Sequence, residues 1–291
     1  MLYLILAILS STAVAVLMRL SNKYSRNGMT VLASNYAMCT VVAGFLAGLP
    51  LFPAVEGLGL TMGLGVLNGA LYLGGFVLLK SCTSRSGVVL PATFQKLGVV
   101  IPTIAAITIF REKASWPQLL GVGVAIAAIL VMQEKRDGRR ITGLGGLIAL
   151  LVVCGGCEVM SKVFANLKLA ALEDHFLFYT FVVAFILCVG LCIVKKQGVT
   201  LVDVLWGLAI GLPNYLCAFF VLGALTQGMG AVIVYPTYSA GTIIAVTLVG
   251  VLAFREKLST RKLIALGMVV AALVLLNLKT EPAIPIGETH A

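Results

Sequence analysis

Ten apolar runs follow one another along this chain, with only short polar connections between them. They fall at about Leu2–Met18, Met29–Leu49, Gly57–Leu79, Gly87–Phe110, Trp116–Gln133, Thr142–Ser161, Asp174–Val194, Val204–Thr226, Gly230–Phe254 and Leu263–Leu278. A helix needs roughly 20 such residues to cross a bilayer. In hydrocarbon every backbone N–H and C=O must be satisfied internally, so runs of this kind fold as helices. The chain is therefore expected to be an all-α membrane protein with ten transmembrane helices. The first run lacks a basic n-region and a clear cleavage site, so it reads as a retained span. The most charged link, Glu134–Arg140, lies at mid-chain, and Thr280–Ala291, with Pro282 and Pro285, reads as a disordered tail.

Composition agrees. The 291 residues are 60% hydrophobic and 11% charged, with a mean hydropathy of +1.08. A soluble domain carries about 25% charged residues. The net charge of +10 does not imply a nucleic-acid partner, because the basic residues stand at span ends and form no aromatic-basic patch. Seven scattered cysteines, an odd number mostly within apolar runs, make no disulfide framework and read as small hydrophobes.

The chain also repeats itself. Arg111-Glu112-Lys113 recurs as Arg255-Glu256-Lys257, 144 residues later. Tyr72-Leu73 and Phe76 recur as Tyr215-Leu216 and Phe219 at an offset of 143, and Pro91 and Pro236 differ by 145. Such drift fits a duplicated unit with small insertions. Each unit holds five spans, residues 1–134 and 141–279, followed by the tail 280–291. An odd unit inserts its second copy upside down, and inverted repeats are a secondary-transporter architecture with the site between the halves near the midplane. Charge is lopsided: fifteen Lys and Arg lie in the connections after odd-numbered spans and five on the other side. That bias places both termini outside.

Few charges lie inside spans. Lys96 sits near the middle of the fourth run, where a bare ammonium costs about 2.5–3.5 kcal/mol even on lenient insertion scales. It should face protein or a watery cavity. On a continuous helix Thr93, Lys96 and Thr103 share one face, and Pro91, Gln95 and Pro102 the other. Gln95 and the carbonyls that the prolines free are further binding candidates. Glu158 is the one acid inside a span, on a stripe with Cys154, Cys157, Ser161 and Lys162. It reads as an i,i+4 partner of Lys162, a counter-ion to Lys96, or a proton-coupling site. Asn35, Asn68, Tyr72, Asn214, Tyr215 and Tyr238 add polar groups to other spans, as helix contacts or as parts of a polar, aromatic-lined pocket. Trp116 and Trp206 read as interface anchors. Four glycine pairs at i,i+4, Gly44/Gly48, Gly59/Gly63, Gly65/Gly69 and Gly207/Gly211, read as internal helix packing or a dimer contact.

The segments Phe110-Arg-Glu-Lys-Ala-Ser-Trp-Pro-Gln-Leu-Leu-Gly121 and Phe254-Arg-Glu-Lys-Leu-Ser-Thr-Arg-Lys-Leu-Ile-Ala-Leu-Gly267 resemble a family pattern: a short acidic turn between spans, then a glycine-bearing last helix. By these segments and its ten runs the chain resembles the drug/metabolite transporter superfamily, of the ten-span EamA type. The resemblance implies a central cavity lined by spans one to four and six to nine, cytoplasmic termini (against the charge bias), and export. The opening also resembles the first helix of the small multidrug resistance proteins, with Ser11 where those carry a proton-coupling glutamate.

The expected function is secondary active transport, by alternating access in the cell membrane, of a small polar metabolite bearing a carboxylate, such as an amino acid. The expected partners are that metabolite, the bilayer and, as coupling ion, protons, and the chain acts as a monomer or homodimer. The alternative within this class is export of drugs or cationic metabolites by proton antiport. The alternative from another class is a membrane thiol oxidoreductase using Cys154 and Cys157. No Walker A, zinc spacing or nucleophile elbow is present, so the chain reads as no enzyme, with no cofactor and no metal.

Overall fold

The structure is a computed structural model, and it describes residues 1–86, 89–132, 144–255 and 260–278. Among these every regular element is a helix: α1 (Leu2–Tyr24), α2 (Gly28–Ala47), α3 (Leu58–Ser86), α4 (Val89–Leu97), α5 (Val100–Thr108), α6 (Trp116–Met132), α7 (Leu144–Asn166), α8 (Glu173–Val194), α9 (Leu201–Thr226), α10 (Ala231–Phe254) and α11 (Thr260–Asn277), with a short 3₁₀ turn before α8. Seven of them, α1, α2, α3, α7, α8, α9 and α10, are long and apolar enough to cross a membrane. The chain is a multi-pass membrane protein by length and composition. The charged link 134–140, the tail 280–291 and Glu256-Lys257 lie outside the described residues.

The fourth apolar run is not one helix. It breaks at Gly98-Val99 into two helices of 9 residues, α4 and α5. Pro102 explains the break. It has no N–H to offer the Gly98 carbonyl four residues back. That carbonyl accepts from the Ile101 N–H at 3.0 Å, and the Val99 N–H turns to the Lys96 carbonyl at 3.4 Å. The shared face expected for Thr93, Lys96 and Thr103 is lost with the break. Thr103 is buried, and its hydroxyl donates to the Val99 carbonyl at 2.8 Å, so it is spent on its own helix. The Thr93 side chain lies outside what the structure describes.

Two ends of the bundle are defined by the connections. At the Tyr24 end, Thr200 and Asp203 cap α9: the Asp203 N–H donates to Thr200 Oγ1 at 3.3 Å, and the Thr200 hydroxyl donates to Asp203 Oδ2 at 2.7 Å. Asp203 Oδ1 also accepts the Arg26 N–H at 2.8 Å, tying the α1–α2 corner to α9. At the Met1 end, the Thr226 hydroxyl at the end of α9 donates to Glu173 at 3.0 Å.

Helices α2 and α8 pack together at the centre; α9 packs on α1 and α2, and α3 on α7 and α8. Helix α10 packs on α1, α7 on α4 and α5, and α6 on α11. Glycines permit the tightest crossings. A Cβ on Gly211 would lie 2.6 Å from the Asn35 carbonyl oxygen, and one on Gly69 2.5 Å from that of Thr180. A Cβ on Gly207 would lie 2.4 Å from the Val31 carbonyl oxygen of α2, and one on Gly65 2.7 Å from Tyr179 Cβ of α8. These two glycine pairs are internal packing. Gly59 and Gly63 have nothing within 4 Å of a built Cβ. Trp116 is exposed, and Trp206 stacks on Tyr24 at 6.0 Å, as suits side chains near a membrane surface.

Candidate functional site

Helix α7 carries Glu158 into the interior because its glycines let neighbours crowd in beside it. A Cβ on Gly155 would stand 2.6 Å from the Gly98 carbonyl oxygen and 2.5 Å from Ile101 Cβ. The break in the fourth span therefore seats on Gly155, one turn from Glu158. In Cys154-Gly155-Gly156-Cys157 the glycine carries the tight contact. The thiols are free and stand mid-helix, away from the helix start that would activate them. Replacing both cysteines with alanine is expected to leave ligand binding and transport within about twofold of the parent, an effect under about 0.5 kcal/mol. Complete loss in a folded double variant would revive the redox alternative.

Beside this crossing is a cavity of about 150 Å³ between α3, α7, α9 and α10. Its wall includes Tyr72, Cys157, Glu158, Ser161, Asn214, Cys217, Tyr235 and Tyr238. The Tyr235 hydroxyl donates to the Glu158 backbone carbonyl. The Tyr238 hydroxyl donates to Ser11 Oγ at 3.0 Å and lies 3.0 Å from Cys217 Sγ, which brings α1 to the cavity wall. Where the small multidrug resistance pattern has glutamate, this chain thus has a hydroxyl bonded to a cavity tyrosine.

Glu158 Oε2 is buried with no hydrogen-bond partner. A buried carboxylate oxygen without a partner is costly. The expected neighbour on its own helix does not: Lys162 pairs with Glu112, Nζ to Oε1 at 2.6 Å. Lys96 interacts electrostatically with Glu158. Yet no carboxylate oxygen of a described residue lies within the 4.0 Å of an ion pair from its ammonium. The expected direct Lys96–Glu158 pair is therefore not formed. The Lys96 side chain is accessible, although α4 is packed between α3 and α7. Gln95 is also accessible.

The remaining predicted residues divide. Tyr72, Asn214 and Tyr238 stand with Glu158 on the cavity wall. Asn35 is one step behind, accepting from Asn214 Nδ2 at 3.3 Å. Asn68 is buried between α3 and α8, donating to Thr180 at 3.3 Å. Tyr215 is fully buried, 6.0 Å ring to ring from Phe181, with its hydroxyl 3.4 Å from Asp174. These last two hold helices together and do not touch the cavity. Tyr235, a hydroxyl-bearing residue expected with Tyr238 on a cavity helix, stands on the wall beside Glu158; the sequence does not say which helix a proline-flanked tyrosine will meet.

Comparison with known proteins adds the fold and little more. No family model matches the chain. An uncharacterized protein of Haemophilus influenzae is 26% identical over 271 residues, covering 88% of this chain and 90% of its own. A solved structure described only as a crystal structure of a protein covers 95% of each chain with a TM-score of 0.77 at 15% identity. This helical arrangement is therefore one seen in a solved structure.

Proposed function

We propose that the chain is a ten-span secondary transporter built from two inverted five-helix repeats, of the EamA type its motifs resemble. With α4 and α5 counted as one span, moving five spans along turns α1·α9 into α7·α3 and α2·α9 into α8·α3. The same move turns α1·α10 into α7 with α4 and α5, and leaves α2·α8 and α6·α11 as they are. The Asn214–Asn35 bond between α9 and α2 is likewise matched by Asn68–Thr180 between α3 and α8. Arg111 and Arg255 of the recurring motif both have left-handed backbone, at φ 51 and 50. This exchange pattern supports the duplication, and five spans per unit makes the second copy inverted.

The substrate we infer is a small metabolite with a carboxylate, foremost an amino acid. The observation that carries this is Glu158 on the cavity wall with a buried, unpartnered carboxylate oxygen, and the accessible Lys96 ammonium near enough to interact with it yet outside ion-pair distance. Lys96 would take the carboxylate. Glu158, whose oxygen lacks a partner, would take the ammonium, helped by the faces of the cavity tyrosines. The cavity wall holds a carboxylate and three tyrosines, which also favours a second reading, export of cationic compounds with Glu158 as the proton site. Lys96→Ala separates the two: it weakens an anionic or zwitterionic substrate and spares or helps a cation. The direct test is a thermal-shift screen of the purified protein against metabolites, since a ligand of the folded state raises apparent stability. We expect amino acids or related carboxylates to raise the transition. Stabilisation by organic cations alone would move the reading to drug efflux, and no stabilisation by either class would count against both. We place the protein in the cell membrane, with export as its direction.

A further inference from the structure

Glu112 stands in the turn between α5 and α6, yet its carboxylate is engaged elsewhere. Oε1 accepts the Ala231 N–H at 3.0 Å and Oε2 the Val232 N–H at 3.1 Å, at the start of α10. A Cβ on Gly230 would lie 3.1 Å from Oε2, so glycine is what lets the carboxylate seat there. Lys162 of α7 pairs with it at 2.6 Å, the side chains of the pair being only 9% and 15% exposed. The helix N-terminus and the ammonium both favour the charge. One carboxylate thus joins the first repeat to two helices of the second.

Its position matters as much as its partners. On the outer side is a vestibule of about 530 Å³ at the Met1 end, lined by Glu112, Lys113, Lys162, Lys168, Thr226 and Val232. On the inner side, Ser161 is the residue before Lys162 and Tyr235 lies one turn beyond Val232, and both line the central cavity. The Glu112 contacts and the bond from Tyr235 to the Glu158 carbonyl therefore lie on the two helices, α7 and α10, that line both vestibule and cavity. At the Tyr24 end, a space of about 140 Å³ runs from Ser25 and Gly28 to Asn35, which holds Asn214 of the cavity wall.

We propose that Glu112 is the latch of the Met1-end gate: it closes the path from vestibule to cavity in this conformation, and its release from Lys162 and α10 opens that path. The proposal rests on the transporter reading. A buried ion pair does little for net stability against a hydrophobic replacement, but it selects one arrangement over others, which is what a gate requires.

The native thiol of Cys157, on the cavity wall, reports the gate when the other six cysteines are alanine. Its labelling rate is measured with a membrane-impermeant thiol reagent applied from either side of oriented vesicles. In the parent, labelling is expected to be faster from the Tyr24 side. Glu112→Gln is expected to raise the rate from the Met1 side at least tenfold and lower it from the other. An unchanged Met1-side rate overturns the latch. So does an equal rise from both sides, which would mean that Glu112 supports the fold. Should Glu112→Gln fail to assemble, Lys162→Gln breaks the same pair and carries the same expectations. Reconstituted transport is measured in parallel. A shift in labelling without any substrate movement leaves the latch standing and removes the transporter reading; substrate movement with unshifted labelling does the reverse.

Discussion

Lys96→Met leaves the protein folded and inserted but weakens binding of a carboxylate substrate at least tenfold, a change of about 1.4 kcal/mol. The substitution keeps the length and removes the charge. Folding should tolerate it because the ammonium has no ion-pair partner among the described residues. Its sequence counterpart in the second half, near Ala240 or Gly241, carries no charge, so a charge is not something the fold requires in both halves. Lys96→Arg should bind with intermediate affinity, since a planar guanidinium does not reproduce a compact ammonium. Isothermal titration with the ligand that the thermal-shift screen returns gives the values. Parent-like affinity in Lys96→Met would show that the lysine does not meet substrate, and the carboxylate class would go with it.

Gly211→Leu, by contrast, should yield almost no folded protein. The α2–α9 crossing brings backbone to backbone, with the Asn35 carbonyl oxygen 2.6 Å and Met38 Cβ 2.5 Å from a built Cβ. Neither can be turned aside by a rotamer change. Overpacking a tight core costs about 1–3 kcal/mol when neighbours can shift. Here whole helices would have to separate, and the Asn214–Asn35 bond next to the cavity would break with them. Gly155→Leu should fail for the same reason, because the Gly98 carbonyl oxygen is 2.6 Å from its built Cβ. Gly63→Leu is the control: nothing lies within 4 Å, so it should fold as the parent does. Size-exclusion profiles of detergent-solubilised protein read all three. A monodisperse Gly211→Leu would mean that the helices are not as close as described.

The difference between these glycines was not legible in the sequence. Spacing marks Gly59/Gly63 and Gly207/Gly211 alike, and only the packed bundle tells which pair meets a helix. The spans themselves were legible, because the bilayer demands long apolar runs and the chain supplies them. The break in the fourth run was half legible: Pro102 announces a missing N–H, but whether a helix kinks or parts there depends on what receives the freed carbonyl. Here the Ile101 N–H receives it, and Gly155 of α7 leaves room for the parted turn. The partner of Lys162 was hidden for a related reason. Glu158 is four residues away on the same helix, whereas Glu112 is 50 residues away in sequence and reaches Lys162 only through the fold. Local spacing favours the first, and the second wins because it also caps α10. Asn68 and Tyr215 show the same limit. A polar residue in a span must find a partner, and the sequence does not say whether the partner is another helix or a substrate.

The measurement closest to the central claim is counterflow in proteoliposomes. Vesicles carrying the purified protein are loaded with unlabelled amino acids and diluted into a trace of the labelled compounds. The account predicts transient accumulation of label that is absent from empty vesicles and reduced at least tenfold by Lys96→Met at subsaturating substrate. Accumulation of organic cations instead, undiminished by Lys96→Met, would contradict it, as would the absence of any accumulation of a compound that the same protein binds.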